Sequence, residues 1–169
     1  MPYVNASVFG ARGQLGVDTL TEMKLKDRAS AQGSLIFTVY KNGVAIEHVE
    51  EHNLVVNGGR TRLAELISGK SNQYITHIGF GTGQTLAVLT DDTLENLARI
   101  PITQSYVQGQ RVTFEWFLDK DTCNGMDIRE FGLFTSDGVM VTKRQRGRVI
   151  GKASDVTIDG KYILDFGRD

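Results

Sequence analysis

The sequence has little of what marks several large classes of protein. Its one cysteine, Cys123, excludes an intramolecular disulfide and predicts a reducing compartment. Its formal net charge of −1 provides no overall field that would attract nucleic acid or an anionic membrane. No apolar run approaches the roughly 18 residues of a membrane-spanning helix, and the first residues lack the pattern of a signal peptide. We therefore expect a soluble protein made in the cytosol, with neither nucleic acid nor membrane among its partners.

Proline is also scarce, with 2 residues, whereas glycine is abundant, with 19. This combination favours tight turns between short strands over a proline-rich linker. A chain of 169 residues with 40% hydrophobic residues can bury one core. The composition therefore predicts one domain plus an extension.

Residues 1–33 form the predicted extension, because neither strand-like nor helical periodicity persists in them. Two interpretations stay open: a floppy tail, or an extended N-terminal arm that docks on another subunit. We favour the arm. Its candidate interface residues are Tyr3, Val4, Val8, Phe9, Leu15, Leu20 and Met23.

Residues 34–169 change to short runs rich in β-branched and aromatic residues, separated by turn signals. The pairs Asn42-Gly43, Asp137-Gly138 and Asp159-Gly160 each predict a hairpin turn. We place the hairpin at Asp137-Gly138 in the centre, because both of its arms carry large apolar residues. Residues 111–118 alternate, which predicts a strand whose core face is formed by Val112, Phe114, Trp116 and Leu118.

Two short helices are predicted among these strands. Residues 60–68 place Leu63, Leu66 and Ile67 on one face, and Gly69 is a suitable C-terminal stop. Asp92 and Glu95 have the spacing of a capping box, which predicts a second helix start. The domain over residues 34–169 is therefore predicted to be an antiparallel β-sandwich with one or two short helices.

The run from His48 to His52 matches H-x-x-E-H, the signature of one class of zinc peptidases, with Glu51 as its glutamate. That chemistry needs a helix, which brings both histidines to one face beside the glutamate. Here the flanking runs are extended, and in a strand residues i and i+4 lie roughly 13 Å apart. We therefore favour a charged strand edge or loop over a zinc site.

Two glycine-containing stretches invite comparison with phosphate-binding loops. Residues 79–83 read G-x-G-x-G, and no helix opens where a dinucleotide fingerprint needs one, so we expect a turn with positive φ. Residues 147–154 have one residue too few between the glycines for a P-loop, and Ala153 stands where the hydroxyl belongs. Neither stretch predicts a nucleotide site.

The one basic cluster spans residues 143–148. It has no interleaved aromatic residues, so we expect a solvated loop or, second, an ion-paired contact with an acidic neighbour, rather than nucleic-acid binding. Its candidate interface residues are Arg144, Arg146 and Arg148. Nothing around Cys123 suggests an activated nucleophile, and serine, histidine and aspartate show no triad pattern.

Several runs taken together resemble one family: residues 53–60, 75–83, 92–96 ahead of Arg99, 124–125, 129–134, 137–138 and 152–155. In order and spacing they are similar to the tail-collar fibre and baseplate-associated proteins of tailed bacteriophages, which include the virion-attachment regions of some tail fibres. The similarity covers roughly residues 35–166.

This resemblance implies a structural virion component that joins fibre or neighbouring tail proteins to the tail. We also expect a homo-oligomer, because phage tails repeat their subunits about an axis. It implies no catalytic or cofactor residues, so we expect no enzyme, cofactor or small-molecule substrate. The expected location is the virion tail, after synthesis in the bacterial host cytoplasm. Because the sequence ends at Asp169 without a shaft or receptor-binding tip, we expect a collar, baseplate or adaptor role.

Two other functions stay open as alternatives. One is a small zinc-dependent hydrolase centred on His48, Glu51 and His52. The other is a carbohydrate-binding sandwich with Trp116 or Tyr74 as the stacking platform, although the alternation of residues 111–118 places Trp116 in the core.

Overall fold

The structure is a computed structural model, and it describes residues 31–167. This part of the chain is mainly β with one short helix, as predicted. The strands are β1 (Gln32–Lys41), β2 (Val44–Val55), β3 (Ile75–Gly81), β4 (Ala98–Pro101), β5 (Gln104–Gln108), β6 (Arg111–Leu118), β7 (Asp127–Thr135), β8 (Thr142–Gly151) and β9 (Val156–Asp165). Helix α1 (Asn57–Ile67) lies between β2 and β3.

All nine strands belong to one antiparallel sheet in the order β4-β3-β7-β8-β2-β1-β9-β6-β5. The two edge strands, β4 and β5, follow one another in the chain and are separated only by residues 102–103. The sheet therefore curls until its two edges approach each other, and the curl encloses the core on its inner face. The antiparallel β fold is confirmed, whereas the two-layer sandwich stays a prediction.

Aromatic residues from distant strands pack together inside the curl. Phe37 of β1 stacks on Phe131 of β7, with ring centroids 5.0 Å apart. Trp116 of β6 lies edge-on to Phe80 of β3, at 5.6 Å. Such pairs contribute about 0.5–1.5 kcal/mol beyond the area that they bury. They join strands that lie far apart in the order of the sheet.

Two of the three predicted hairpin turns are confirmed. Asn42 and Gly43 join β1 to β2 with φ of 49° and 77°, the paired positive angles that a two-residue hairpin turn of this type requires. The turn at Asp137-Gly138 follows β7, and Gly138 donates its N–H to the carbonyl of Thr135 at 3.0 Å. Strands β7 and β8 lie inside the sheet, as expected for a central hairpin.

The predicted turn at Asp159-Gly160 is wrong. Both residues lie within the continuous strand β9, which pairs with β1 on one side and with β6 on the other. A Cβ on Gly160 would meet Cζ2 of Trp116 at 2.3 Å. This glycine makes room for the indole ring and does not reverse the chain.

The first predicted helix is confirmed as α1, and Gly69 follows it with φ of 70°. Its packing differs from the prediction, since Ile67 is 87% exposed. Gly59 is the buried residue of the helix, and a Cβ there would meet the carbonyl oxygen of Val141 at 2.2 Å. The helix thus contacts the domain through close backbone approach at its N-terminal turn.

The second predicted helix is wrong, since Asp92 and Glu95 lie in an irregular loop between β3 and β4. The boundary of the domain also differs slightly. Strand β1 begins at Gln32, and Gly33 already pairs with Leu164 of β9. No helix within residues 31–167 combines the length and the apolar character needed to cross a membrane.

Candidate interaction site

The histidines of the H-x-x-E-H run lie in β2, where alternation places Glu51 on the opposite face. His48 shares a hydrogen bond with Thr38 Oγ1 at 2.9 Å on the exposed face. Glu51 points inward, and its Oε2 accepts a hydrogen bond from Arg144 Nε at 2.6 Å. Within residues 31–167, no three histidine, cysteine, aspartate or glutamate side chains converge as metal ligands would. This geometry offers the zinc alternative no support.

The basic cluster is not a loop, because residues 143–148 belong to β8. Arg146 Nη2 donates to Glu47 Oε1 at 2.8 Å, and Arg146 Nε lies 3.5 Å from Glu51 Oε1. The Arg146 guanidinium also lies 5.0 Å from the ring centroid of Phe37. The prediction of a solvated loop was wrong because these arginines face carboxylates of the neighbouring strand β2.

We call the four residues Glu47, Glu51, Arg144 and Arg146 the β2–β8 seam. Backbone pairing between these strands covers only Leu54 with Lys143 and Val55 with Thr142. Beyond those pairs, the side-chain ion pairs of the seam join the two strands. The seam therefore connects the two parts of the sheet, β4-β3-β7-β8 and β2-β1-β9-β6-β5, where the backbone pairing of β2 with β8 ends.

The arginines predicted to form an interface differ in accessibility. The side chain of Arg146 is 3% exposed, that of Arg144 is 37% exposed, and that of Arg148 is 82% exposed. Their role in binding a partner stays a prediction, with Arg148 the most accessible of the three. The other candidate interface residues, Tyr3, Val4, Val8, Phe9, Leu15, Leu20 and Met23, lie outside the described residues, as does the predicted arm up to residue 30.

The G-x-G-x-G stretch forms the wall of a site for an internal carboxylate. None of Gly79, Gly81 and Gly83 has a positive φ, so the expected turn is wrong. Gly83 donates its N–H to Oε2 of the buried Glu130 at 2.9 Å. A Cβ on Gly81 would meet the same oxygen at 2.4 Å. The glycines therefore accommodate an anion, but that anion is the protein's own Glu130.

Glu130 is held by further partners that the sequence did not reveal. Its Oε2 also accepts the N–H of Glu95, and its Oε1 lies 2.9 Å from Lys143 Nζ. Burial opposes the charge of Lys143, but the hydrogen bonds and charges of Glu130 and Asp91 outweigh it and raise the pKa of Lys143. Removing one partner of such a buried pair typically costs about 3–5 kcal/mol. The one signal of this buried ion pair in the sequence was a glutamate, Glu130, inside an apolar β run.

The stretch resembling a P-loop contains the buried residue Lys152, which is hydrogen-bonded to the loop before β7. Its Nζ donates to Asn124 Oδ1 at 2.9 Å and to the carbonyl of Ala153 at 3.1 Å. Burial lowers the pKa of Lys152. Burial raises the pKa of the nearby Cys123 thiol, which reduces its thiolate fraction. These contacts stabilise a loop conformation in which Cys123 has a φ of 61°.

The two side chains considered as sugar platforms have opposite environments. Trp116 is 1% exposed, which confirms the prediction that it belongs to the core. Tyr74 is exposed beside the start of β3. Trp116 therefore cannot present its ring to a ligand in this fold.

Strand β5 is an exposed and uncharged sheet edge. All five of its residues, Gln-Ser-Tyr-Val-Gln, are exposed, and Val107 is 72% exposed. The strand pairs with β6 on one side, and no strand of the described chain pairs with its other side. The opposite edge strand, β4, carries Arg99 and ends at Pro101, which lacks an N–H. One charge, Arg99, and one proline protect β4 in the usual way, whereas β5 lacks both devices.

A shallow hollow of about 370 Å³ adjoins this edge on the outer face of the sheet. Its lining includes Phe117, which is half exposed, together with His48, Asp159, Lys161 and Glu115. Glu115 is the cross-strand neighbour of Gln104 in β5. Hydrogen-bonding groups therefore continue from the β5 edge onto the adjacent face. We call β5 and this hollow together the β5 surface.

Comparison with known proteins identified no matching family, no matching protein sequence and no matching solved structure. The resemblance to phage tail proteins therefore stays a prediction.

Proposed function

We propose that the protein is a structural subunit of a bacteriophage tail, acting as a collar, baseplate or fibre-attachment adaptor. In this proposal the arm that precedes β1, up to residue 30, docks on a neighbouring tail protein, and the β domain holds fibre or sister subunits. The class of protein comes from the resemblance of residues 35–166. The observation that carries the proposal is the uncharged edge of β5.

The physical argument begins with the backbone groups of this edge. An exposed edge strand presents N–H and C=O groups that can add a strand from another chain. Soluble proteins usually block such edges with charge, proline or a covering segment, as β4 does here. An edge left open by its sequence is expected where binding to another chain is the function.

The interior supports a rigid connecting element. The aromatic contacts of Phe37 with Phe131 and of Trp116 with Phe80 hold the two parts of the curled sheet against each other. We propose that these parts, β4-β3-β7-β8 and β2-β1-β9-β6-β5, act as the two layers of a sandwich. A domain built in this way can transmit force between the proteins attached to its surface.

The test is incorporation into particles. An affinity-tagged full-length chain, produced during infection by the phage that encodes it, should co-purify with intact particles. A chain lacking residues 1–27 should fold, as judged by circular dichroism and thermal unfolding, but should be missing from particles. The variant Lys70→Ala, which removes one exposed side chain of the β domain outside the candidate interface residues, serves as a control for tagging and expression.

The two arms of this experiment are read separately. Intact particles without the full-length protein would contradict the proposed function. Equal incorporation of the shortened and full-length chains would contradict the docking role of the arm and leave the β domain as the attachment element.

A further inference from the structure

We infer that β5 pairs with β5 of a second copy of this chain, antiparallel and about a two-fold axis at Tyr106. This inference deepens the proposed function, on which it rests for its biological setting, because it names the partner of the β5 edge. The resulting dimer would contain one sheet that continues across both copies.

The order of residues in β5 suits such a pairing. In an antiparallel pair centred on Tyr106, Gln104 faces Gln108 of the second copy, and Ser105 faces Val107. Tyr106 faces Tyr106 of the second copy. A two-fold interface must be self-complementary, and this five-residue strand places glutamine at both ends and an aromatic residue at its centre. No charged residue of β5 meets its own copy across the axis.

Charge on the neighbouring strand β6 agrees with this register. Gln108 pairs with Arg111, and Gln104 pairs with Glu115, at opposite ends of β5. Self-pairing therefore places Arg111 of one copy in the same cross-strand row as Glu115 of the other copy. The two charges of a row lie three strand spacings apart, roughly 14 Å, so this register avoids like charges in one row but gains little attraction at physiological salt. A shift of the register by one residue would turn every side chain of the second copy's β5 to the opposite face of the sheet. The two charges would then no longer lie in one row.

Side chains of β5 lie on both faces of the sheet beside the proposed pairing. Tyr106 lies on the outer face, where its hydroxyl is 3.4 Å from Glu115 Oε1. Val107 points to the other face and is 72% exposed. Facing aromatic residues contribute about 0.2–1 kcal/mol to a strand pair. Five paired residues form a small interface, so we expect the dimer population to depend on protein concentration.

The experiment uses charge at the two-fold axis in the full-length chain. In Tyr106→Lys, two lysines face each other, and in Tyr106→Glu, two glutamates do. Native mass spectrometry and sedimentation velocity over a concentration series should show a wild-type dimer. Each variant alone should dimerise more weakly by about tenfold or more, because like charges directly opposite are destabilising. An equal mixture of both variants should form the heterodimer, because lysine then faces glutamate.

Matched controls carry the same charges at another exposed position. Val149→Lys and Val149→Glu lie on β8, away from β5, and both should dimerise like the wild type. Circular dichroism and thermal unfolding show that the Tyr106 variants fold.

Three results would overturn the inference: a wild-type protein that is monomeric at every concentration, single variants that dimerise as the wild type does, or a mixture that forms no heterodimer. The last result would indicate that another segment or protein occupies the edge. Failure here is distinguishable from failure of the proposed function. A monomeric protein that still enters particles contradicts only the β5 pairing, and a dimer missing from intact particles contradicts only the tail function.

Discussion

Asp137 lies in the turn after β7 and also reaches helix α1. Its Oδ1 and Oδ2 accept hydrogen bonds from Nη1 and Nη2 of Arg62 at 2.8 and 2.9 Å. Its Oδ1 also accepts the hydroxyl hydrogen of Thr135 at 2.6 Å. These hydrogen bonds, from Arg62 first and then from Thr135, lower the pKa of Asp137 to about 2. A paired arginine–carboxylate contact of this kind fixes orientation as well as distance.

The lowered pKa predicts a defined pH dependence of stability. An aspartate with a folded pKa below its unfolded value of 3.8 stabilises the fold above that pH, and this stabilisation is lost as the pH falls through about 2. Asp137→Asn should therefore have a lower Tm than the wild type at pH 7. The difference should shrink as the pH falls from about 4 towards 2.

Thermal unfolding of both proteins over a pH series measures this effect. The same substitution at the exposed Asp92 provides the control and should leave the Tm nearly unchanged at pH 7. A Tm difference for Asp137→Asn that stays constant from pH 7 to pH 2 would contradict the assignment.

At the scale of elements, strand β9 requires a glycine at one position. Gly160 lies at its centre, opposite Trp116 of β6 and Phe37 of β1. A Cβ at this position would meet Trp116 Cζ2 at 2.3 Å and Phe37 Cβ at 2.8 Å. The strand can continue here only because the indole ring fills the space that a side chain would take.

Gly160→Ala should lower the free energy of unfolding by about 1–3 kcal/mol, the usual cost of overpacking a core. Urea denaturation followed by Trp116 fluorescence measures the change at the ring concerned. Gly147→Ala is the matched control, because Gly147 also lies in a strand and nothing stands within 4 Å of the Cβ that it would gain. Equal stability of the two variants would show that the ring has room for the methyl group.

At the scale of the whole molecule, the β2–β8 seam joins the two parts of the curled sheet. Backbone pairing there stops after two residue pairs. Arg146 then bridges Glu47 and Glu51 from a position where its side chain is 3% exposed. The integrity of the single sheet therefore depends on charged side chains as well as on the backbone ladder.

Arg146→Ala should lower the free energy of unfolding by about 1.5–3 kcal/mol, because it removes a buried guanidinium that pairs with the half-buried carboxylates of Glu47 and Glu51. Arg148→Ala removes a neighbouring arginine of the same strand that also lies near Glu47, at 3.6 Å, but is largely exposed. Its cost should stay within about 0.5 kcal/mol. Chemical denaturation of the two variants compares them directly, and a similar loss in both would argue against a structural role for the seam.

Several elements could be predicted because their signals are local. The turn at Asn42-Gly43 depends on the backbone angles of two adjacent residues, and the alternation of residues 111–118 depends on neighbours two positions apart. The predictions for Asp159-Gly160 and for Asp92 with Glu95 failed because tertiary contacts override local preference. The indole ring of Trp116 occupies the space beside Gly160. The carboxylate of Glu130 accepts the N–H of Glu95, which a helix would have used otherwise.

Among the interface candidates, Arg144 and Arg146 could not be placed from the sequence. Their partners Glu51 and Glu47 lie 93 and 99 residues away along the chain. The edge position of β5 was also hidden, since only strand order decides which strand lacks a second neighbour. The docking of residues 1–33 and the phage-tail function stay predictions.

By itself, the sequence determined the mainly β character, the position of most strands, helix α1 and two of the hairpin turns. These features follow from torsional preferences and from side-chain alternation, which act between residues close together in the chain. The tertiary structure alone decided which glycines make room for a ring or a carboxylate, which arginines find carboxylates, and which strand is left at an open edge. Those outcomes depend on groups that only the folded chain brings within contact distance.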